Sequence, residues 1–182
     1  GGIHTNRFHV STPDRWNVVI KQGIDAEFKG WRDSGEHILL CPSSPMVTHH
    51  INGITQEEWR LEVTKQLEEI TKRPVLFRNK PRPGNQWWET NVKDDLKDAW
   101  CVVTNMSLAA IDGILNMTPA FTHQRHVAAL ISSRKINLIE KPFKPGRKTV
   151  QEWLYMVANH QFTIQEIEDG TAYNCLKTQY EN

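Results

Sequence analysis

Trp100-Cys101-Val102-Val103-Thr104-Asn105-Met106-Ser107-Leu108 is the stretch on which the fold turns. A short continuous apolar run, Trp100 to Val103, stops abruptly at a polar Thr-Asn-x-Ser segment, and a helical pattern follows from about Leu108 to Leu115. Apolar runs of this length, bounded by turn residues, read as strands buried on both faces. Moving upstream, Ile38-Leu39-Leu40-Cys41 has the same character and is cut off by Pro42-Ser43-Ser44-Pro45, which reads as a turn. A helix is expected from Gln56 to about Thr71, since Thr55 and Glu58 have capping-box spacing and Trp59, Val63, Leu67 and Ile70 share one face. Arg73-Pro74 ends it, and Val75-Leu76-Phe77-Arg78 reads as the next strand. Downstream, Thr118-Pro119-Ala120-Phe121 restarts as a fourth strand.

The segments around Leu39, Leu76, Val102 and Ala120 are therefore predicted to be neighbouring parallel strands. Helical patterns or long loops separate them, as crossover connections require. Val127 to Ser132 reads as a helical turn or two, Pro142, Pro145 and Gly146 as a break, and Thr149/Glu152 and Thr163/Glu166 as two further capping boxes. The expected fold is α/β, a doubly wound, mostly parallel, Rossmann-like sheet flanked by helices, with a helical C-terminal part. The expected division is an N-terminal segment over 1–36, an α/β domain over 37–146, and C-terminal helices over 147–182 packing on it.

Composition narrows the function. Lysine plus arginine number 22 against 21 aspartates and glutamates, so a protein held on nucleic acid by overall charge is disfavoured, although a local basic patch remains open. With 38% hydrophobic residues the 182-residue chain carries enough apolar material for a core. No apolar run approaches the roughly 18 residues that cross a bilayer, and Gly1 to Val10 is polar, unlike a signal peptide. The three cysteines, Cys41, Cys101 and Cys175, are far apart, which suggests neither a zinc site nor a disulfide framework and makes a reducing cytoplasm the default. Of the seven tryptophans, Trp31, Trp59, Trp100 and Trp153 sit in apolar patterns and read as core; Trp87-Trp88, in a Gly- and Pro-rich segment, reads as exposed.

Ligands of open α/β sheets sit at the carboxyl ends of the strands, so the loops after Cys41, after Arg78 and after Val103 carry the candidate site. Thr104, Asn105 and Ser107 precede a helix whose first-turn amides and dipole would favour an anion, and Asp112 stands where it would accept hydrogen bonds from a sugar hydroxyl. Plain capping by Asn105 or Ser107, with Asp112 solvated, explains the same residues. Arg78 and Lys80, with Arg82 beyond, would clamp a phosphate or carboxylate or form a solvated basic turn. Ser43 and Ser44 offer hydroxyls at a strand end or an ordinary turn. His49-His50 and His123/His126 lack zinc-ligand spacing, and no metal is implied. No P-loop, G-x-G-x-x-G or G-x-S-x-G is present.

The segment Thr104 to Phe121 resembles the donor-binding segment of GT-B glycosyltransferases of the capsule-polysaccharide type, roughly T-x-N-S-x-x-x-x-E-A-L-x-x-G-x-P-V. Thr104, Ser107 and Pro119 match, Asp112 stands near the acidic position, and Asn116-Met117 occupies the glycine neighbourhood. Trp31-Arg32, Gly35 to Pro42, Arg78 with Lys80, Trp153-Leu154, Gln161 to Ile167 and Gly170 to Tyr173 are similar to stretches of small proteins common in phages and their hosts. The resemblance implies one GT-B lobe, with 1–36 a remnant of a shortened first lobe that a partner subunit or a second copy would replace. It implies a nucleotide-sugar donor held by Thr104, Asn105 and Ser107 at its phosphates, by Asp112 at a hydroxyl and by Arg78 and Lys80 at its charge. No metal or other cofactor is implied; the acceptor, a glycan or DNA, and the catalytic base are left open. Three functions follow: a glycosyltransferase in the cytoplasm (of the bacterial host if phage-encoded), a non-catalytic nucleotide- or phosphate-binding module, and a phage enzyme glycosylating a DNA base.

Overall fold

The computed structural model of the protein describes residues 14–21 and 28–181. The chain divides into two compact units, one formed by Ala26–Val150 and the other by Gly1–Asp25 with Gln151–Asn182.

The first unit is built on a four-stranded sheet of β1 (His37–Leu40), β2 (Val75–Phe77), β3 (Ala99–Val103) and β4 (Ala120–Phe121), in the order β2-β1-β3-β4. All three pairings are parallel. The fold expected from sequence is the one observed. Between β1 and β2 run α2 (Pro45–Asn52) and α3 (Gln56–Ile70); α4 (Val92–Leu96) precedes β3, and α5 (Ala109–Leu115) connects β3 to β4. Here α1 denotes the helix Asp14–Lys21 of the second unit. Chain direction across the sheet reverses between β1 and β3: β1 leads outward to β2, and the chain then returns across β1 to form β3. This is the topological switch point at which open sheets bind ligands.

Alternation along β1 divides the core. Ile38 and Leu40 join Trp59 and Leu67 of α3, with Trp100, Cys101, Val103, Phe121 and Ile139, on one face. Leu39 and Cys41 join Leu96, Ala99 and Val102 on the other, with Val92 and Ala109 against them. The register of β1 on β3 skips one residue, His37 pairing with Ala99 and Ile38 with Cys101, so Trp100 is a bulge. Its indole Nε1–H donates to the Ile139 carbonyl (2.7 Å), and the Arg73 guanidinium lies over its ring at 4.3 Å. Gly35 passes so close to this bulge that a Cβ there would stand 2.4 Å from the Trp100 N and Cα atoms.

The capping box of Thr55 with Glu58 opens α3. Ser44 caps α2, with Pro45 at its first position, a helix absent from the sequence expectation. Residues 127–132 form successive i→i+3 turns rather than a helix, with the Ala129 N–H on the His126 carbonyl (2.9 Å) and the Ile131 N–H on Ala128 (3.0 Å). Thr149 does not cap a helix, because α6 (Arg147–Asn159) already begins before it, directly after Gly146. At the end of α5, Met117 adopts φ 62°, in the left-handed region that favours glycine. Trp59, Trp100 and Trp153 are buried as expected, whereas Trp31 is half-buried, its Nε1–H on the Pro145 carbonyl (2.7 Å).

The second unit is helical: α1, the remainder of α6, α7 (Ile164–Glu168) and α8 (Thr171–Glu181). Thr163 and Glu166 form the expected capping box. The Arg15 guanidinium grips the same Glu166 carboxylate at 2.7 and 2.9 Å. Those donors hold the Glu166 carboxyl at a pKa of about 2, the Arg15 hydrogen bonds being the largest cause. No helix among the described residues is long and apolar enough to cross a membrane.

Candidate functional site

A cleft of about 650 Å³ opens at the carboxyl ends of β1, β2 and β3. All three loops singled out in the sequence line it: Cys41 to Ser44 after β1, Arg78 to Pro81 after β2, and Met106 to Ala109 after β3. Val47, Trp88 to Val92 and Asp112 complete the wall. Of the eight candidate residues, the structure brings Ser43, Ser44, Arg78, Lys80, Ser107 and Asp112 to this cleft. Thr104 and Asn105 lie behind it, buried and outside its lining.

Asn105 is a clamp across the switch point. Its Oδ1 accepts the backbone N–H groups of Ser43 and Met106, both at 2.9 Å, so one carbonyl oxygen fastens the β1 loop to the β3 loop. Its Nδ2 donates to Thr48 Oγ1 (3.1 Å) and Asn52 Oδ1 (3.0 Å) of α2. Thr104 Oγ1 accepts the Ser107 N–H (2.9 Å), and Ser107 Oγ accepts the Ala109 N–H (3.3 Å). Thr104 and Asn105, expected at phosphate oxygens, are thus engaged with the protein itself: Thr104 Oγ1 accepts the Ser107 N–H, and Asn105 holds two backbone amides and two side chains of α2. For the same reason the start of α5 offers little to an anion. Of the N–H groups from Met106 to Ala109, only that of Leu108 has no hydrogen bond to a described residue.

His126 braces this loop from behind the cleft. Its Nδ1 accepts the Ala128 N–H (2.9 Å), which fixes the tautomer with hydrogen on Nε2, and that N–H donates to the Ser107 carbonyl (3.0 Å). Burial pushes the imidazole pKa below its usual value, the Ser107 hydrogen bond opposing the shift. His126 is a buttress beneath the cleft and takes no place in its lining.

Arg78 also differs from the sequence expectation of a free cation. It is buried, paired with Asp95 and donating Nη2–H to the Thr90 carbonyl (3.1 Å). It pins the loop that follows β2 to α4, and its charge in the cleft is largely offset by Asp95. Asp95→Ala should therefore destabilise the fold by about 3 kcal/mol, because it strands a buried guanidinium. Arg78→Met should cost less, since Asp95 is 37% exposed and can turn to water. Denaturant midpoints of the two variants check the order, and equal, negligible losses would show that the pair is a surface contact. Lys80 is exposed, lines the cleft and makes no ion pair with a described residue. Arg82 lies outside the lining.

Asp112 and Ser43, also in the wall, have no side-chain partner within the described protein. Asp112, on the cleft side of α5, makes no side-chain hydrogen bond there, and burial raises its carboxyl pKa against the opposing pull of Lys93 and Arg78. Ser43 is 5% exposed, and its hydroxyl is a buried polar atom with no hydrogen-bond partner. Cys41 contributes an inert thiol, its pKa pushed up to about 12 by burial. Among the described residues no group of three His, Cys, Asp or Glu is placed to hold a metal ion.

Comparison with family models, with curated proteins and with solved structures gives no match. The cleft's own chemistry is the basis for a function.

Sequence reasoning missed the cleft wall supplied by Glu89, Thr90 and Asn91 and the α2 residues Thr48 and Asn52 that position Asn105. Ser44-Pro45, a cap followed by proline at the first helical position, was the available signal for α2.

Proposed function

We propose that the cleft binds the nucleotide part of a nucleotide sugar and that the protein is a glycosyltransferase of the GT-B-like kind its sequence resembles. The observation that carries this is the Ser43 hydroxyl: a polar atom buried in the cleft wall at the switch point, with no partner of its own. Leaving such a group unsatisfied costs about 1–3 kcal/mol, and a rotation of the side chain about its Cα–Cβ bond toward the cleft would let a phosphate oxygen or ligand hydroxyl recover it. Lys80 supplies a cation, Ser107 and the Leu108 N–H supply further donors, and Asp112 accepts from a ribose or sugar hydroxyl. The left-handed backbone at Met117, where the family pattern has glycine, also supports the resemblance.

In the proposed reaction the bond between the anomeric carbon and the diphosphate oxygen breaks, its electron pair leaving with the nucleoside diphosphate. The acceptor hydroxyl oxygen forms the new bond to that carbon and loses its proton to a base on the acceptor side. Fixed donors and Lys80 stabilise the charge on the departing diphosphate, so the proposal calls on no metal or further cofactor. A partner subunit or second copy would supply the acceptor lobe and the base. The unpaired buried thiols Cys41 and Cys101 suit a cytoplasmic setting. One alternative, a module that binds a nucleotide without transferring sugar, is favoured by the self-capped start of α5, which leaves few donors for the charge on a departing diphosphate.

Calorimetric titration of the full chain with uridine, cytidine, guanosine and thymidine diphosphate sugars tests the proposal. One of them should bind, and Lys80→Ala should weaken it at least about tenfold, as loss of a charge-assisted contact implies. Ser43→Ala should weaken it similarly while leaving the melting temperature unchanged or slightly higher, because it removes an unsatisfied hydroxyl. Failure of all four to bind a folded chain would overturn the transferase reading.

A further inference from the structure

Trp87 and Trp88 are adjacent in sequence and used differently. The Trp87 ring meets Phe77 of β2 edge-on, with centroids 5.8 Å apart and planes at 80°, and so anchors the loop of residues 79–91 to the sheet. Asn85 braces that loop from within: its Oδ1 accepts the N–H groups of Arg82 (3.3 Å) and Trp87 (3.1 Å), and its Nδ2 donates to the Lys80 carbonyl (3.0 Å). Arg78 holds the far end through the Thr90 carbonyl. On this fixed loop Trp88 stands 53% exposed in the wall of the cleft. An indole is a large apolar surface, and holding one half in water beside a cleft favours a ligand that covers it. Glu89 follows it in the same wall, exposed, its carboxylate making no hydrogen bond or ion pair with a described residue.

We propose that Trp88 and Glu89 form a saccharide subsite at the mouth of the cleft, so that the acceptor is a glycan. A pyranose ring presents a face of C–H groups with partial positive charge, which complements the negative face of an indole. Its hydroxyls project from the ring edge, and a free carboxylate can accept two of them at once. A single-stranded nucleic acid would need cations along its backbone. Here the residue beside the platform is a carboxylate, the Arg78 charge is paired with Asp95, Lys80 alone among the described lining residues is left as an unpaired cation, and the chain as a whole carries a formal charge of only +1. The chemistry of the pair favours a neutral polyhydroxyl ring over a nucleobase or a phosphate. Assigning that ring to an acceptor rests on the nucleotide-sugar reading of the inner cleft; the subsite itself does not.

The test is NMR of the full chain labelled with nitrogen-15 at its indoles, the Trp88 signal being assigned by its loss in Trp88→Phe. Probes are the methyl glycosides of glucose, galactose, mannose and N-acetylglucosamine, with uridine diphosphate and an oligothymidylate as separate arms. At least one glycoside should shift the Trp88 indole, and neither uridine diphosphate nor the oligonucleotide should. Trp88→Ala should weaken that glycoside about tenfold, as loss of an aromatic stacking contact implies, and Glu89→Gln several-fold. Nucleotide affinity should stay within about twofold in both variants. A Trp88 shift with nucleotide or oligonucleotide in place of the glycosides would make Trp88 a base platform and overturn the proposal. Silence toward every glycoside would overturn it equally. If a glycoside moves Trp88 while no nucleotide diphosphate sugar binds, the subsite stands and the transferase reading falls.

Discussion

Replacing Asn105 with alanine is expected to cost about 3 kcal/mol of folding stability, more than the ~0.5–2 kcal/mol that loss of a helix cap would explain. The side chain is buried and makes four hydrogen bonds: two from backbone N–H groups on different loops and two to α2. Its removal leaves the Ser43 and Met106 amides and the Thr48 hydroxyl short of a partner. Each such group costs about 1–3 kcal/mol where water cannot reach it, and the more accessible Met106 and Asn52 recover part of the loss. The variant should also lose ligand affinity, because the β1 and β3 loops lose their common fastening. Asn105→Asp keeps the acceptor and forfeits both Nδ2 donations, so its stability should fall between the two. Chemical denaturation of the three proteins measures this directly; an alanine variant within about 1 kcal/mol of wild type would show that the loops hold together without the clamp.

Gly35→Ala should be at least as damaging, about 3 kcal/mol or more, with loss of soluble protein a natural outcome. The added Cβ would sit 2.4 Å from two backbone atoms of Trp100 and 2.7 Å from the Ala99 carbonyl carbon. Main chain at the start of β3 cannot turn aside as a flexible side chain could, so either the Trp100 bulge or the entry into β1 must shift. Overpacking of a core usually costs about 1–3 kcal/mol; contact with strand backbone puts this site at the upper end or beyond. The Arg73 guanidinium, which donates to the Gly35 carbonyl and lies over Trp100, would be disturbed as well. Soluble yield and denaturant midpoint are the readouts, and a variant as stable as wild type would refute the close approach.

The strands were legible because a parallel sheet buried on both faces leaves continuous apolar runs, and Ile38 to Cys41 and Trp100 to Val103 have no other easy reading. The position of the cleft was legible for a related reason: loops at the carboxyl ends of such strands converge at the switch point. Roles within the cleft were not. Arg78 reads as a free cation until Asp95 arrives from α4, and Asn105 reads as a cap until Thr48 and Asn52 arrive from α2; hydrogen-bond partners so far apart in sequence leave no local signature. Thr149 shows the opposite error. Its spacing to Glu152 satisfies a capping box, but the helix begins at Arg147, and a capping residue must stand outside the helix it caps. The exposed reading of Trp87-Trp88 was half right, since Phe77 takes one ring and leaves the other to the cleft.

The proposed function requires the switch-point cleft, and in particular its β1 side, to hold the phosphates of a nucleotide. Backbone amide NMR of the full chain during titration with the nucleotide diphosphate sugar that calorimetry selects tests it most directly. Saturable shifts should concentrate at Ser43, Ser44, Lys80 and Ser107, whose side chains can bond a phosphate, and at Leu108, with Met106 and Ala109 moving less because their amides are already bonded and their side chains offer no charge or hydroxyl. Shifts confined to residues away from these loops, with Ser43 and Lys80 unmoved at saturation, would contradict it.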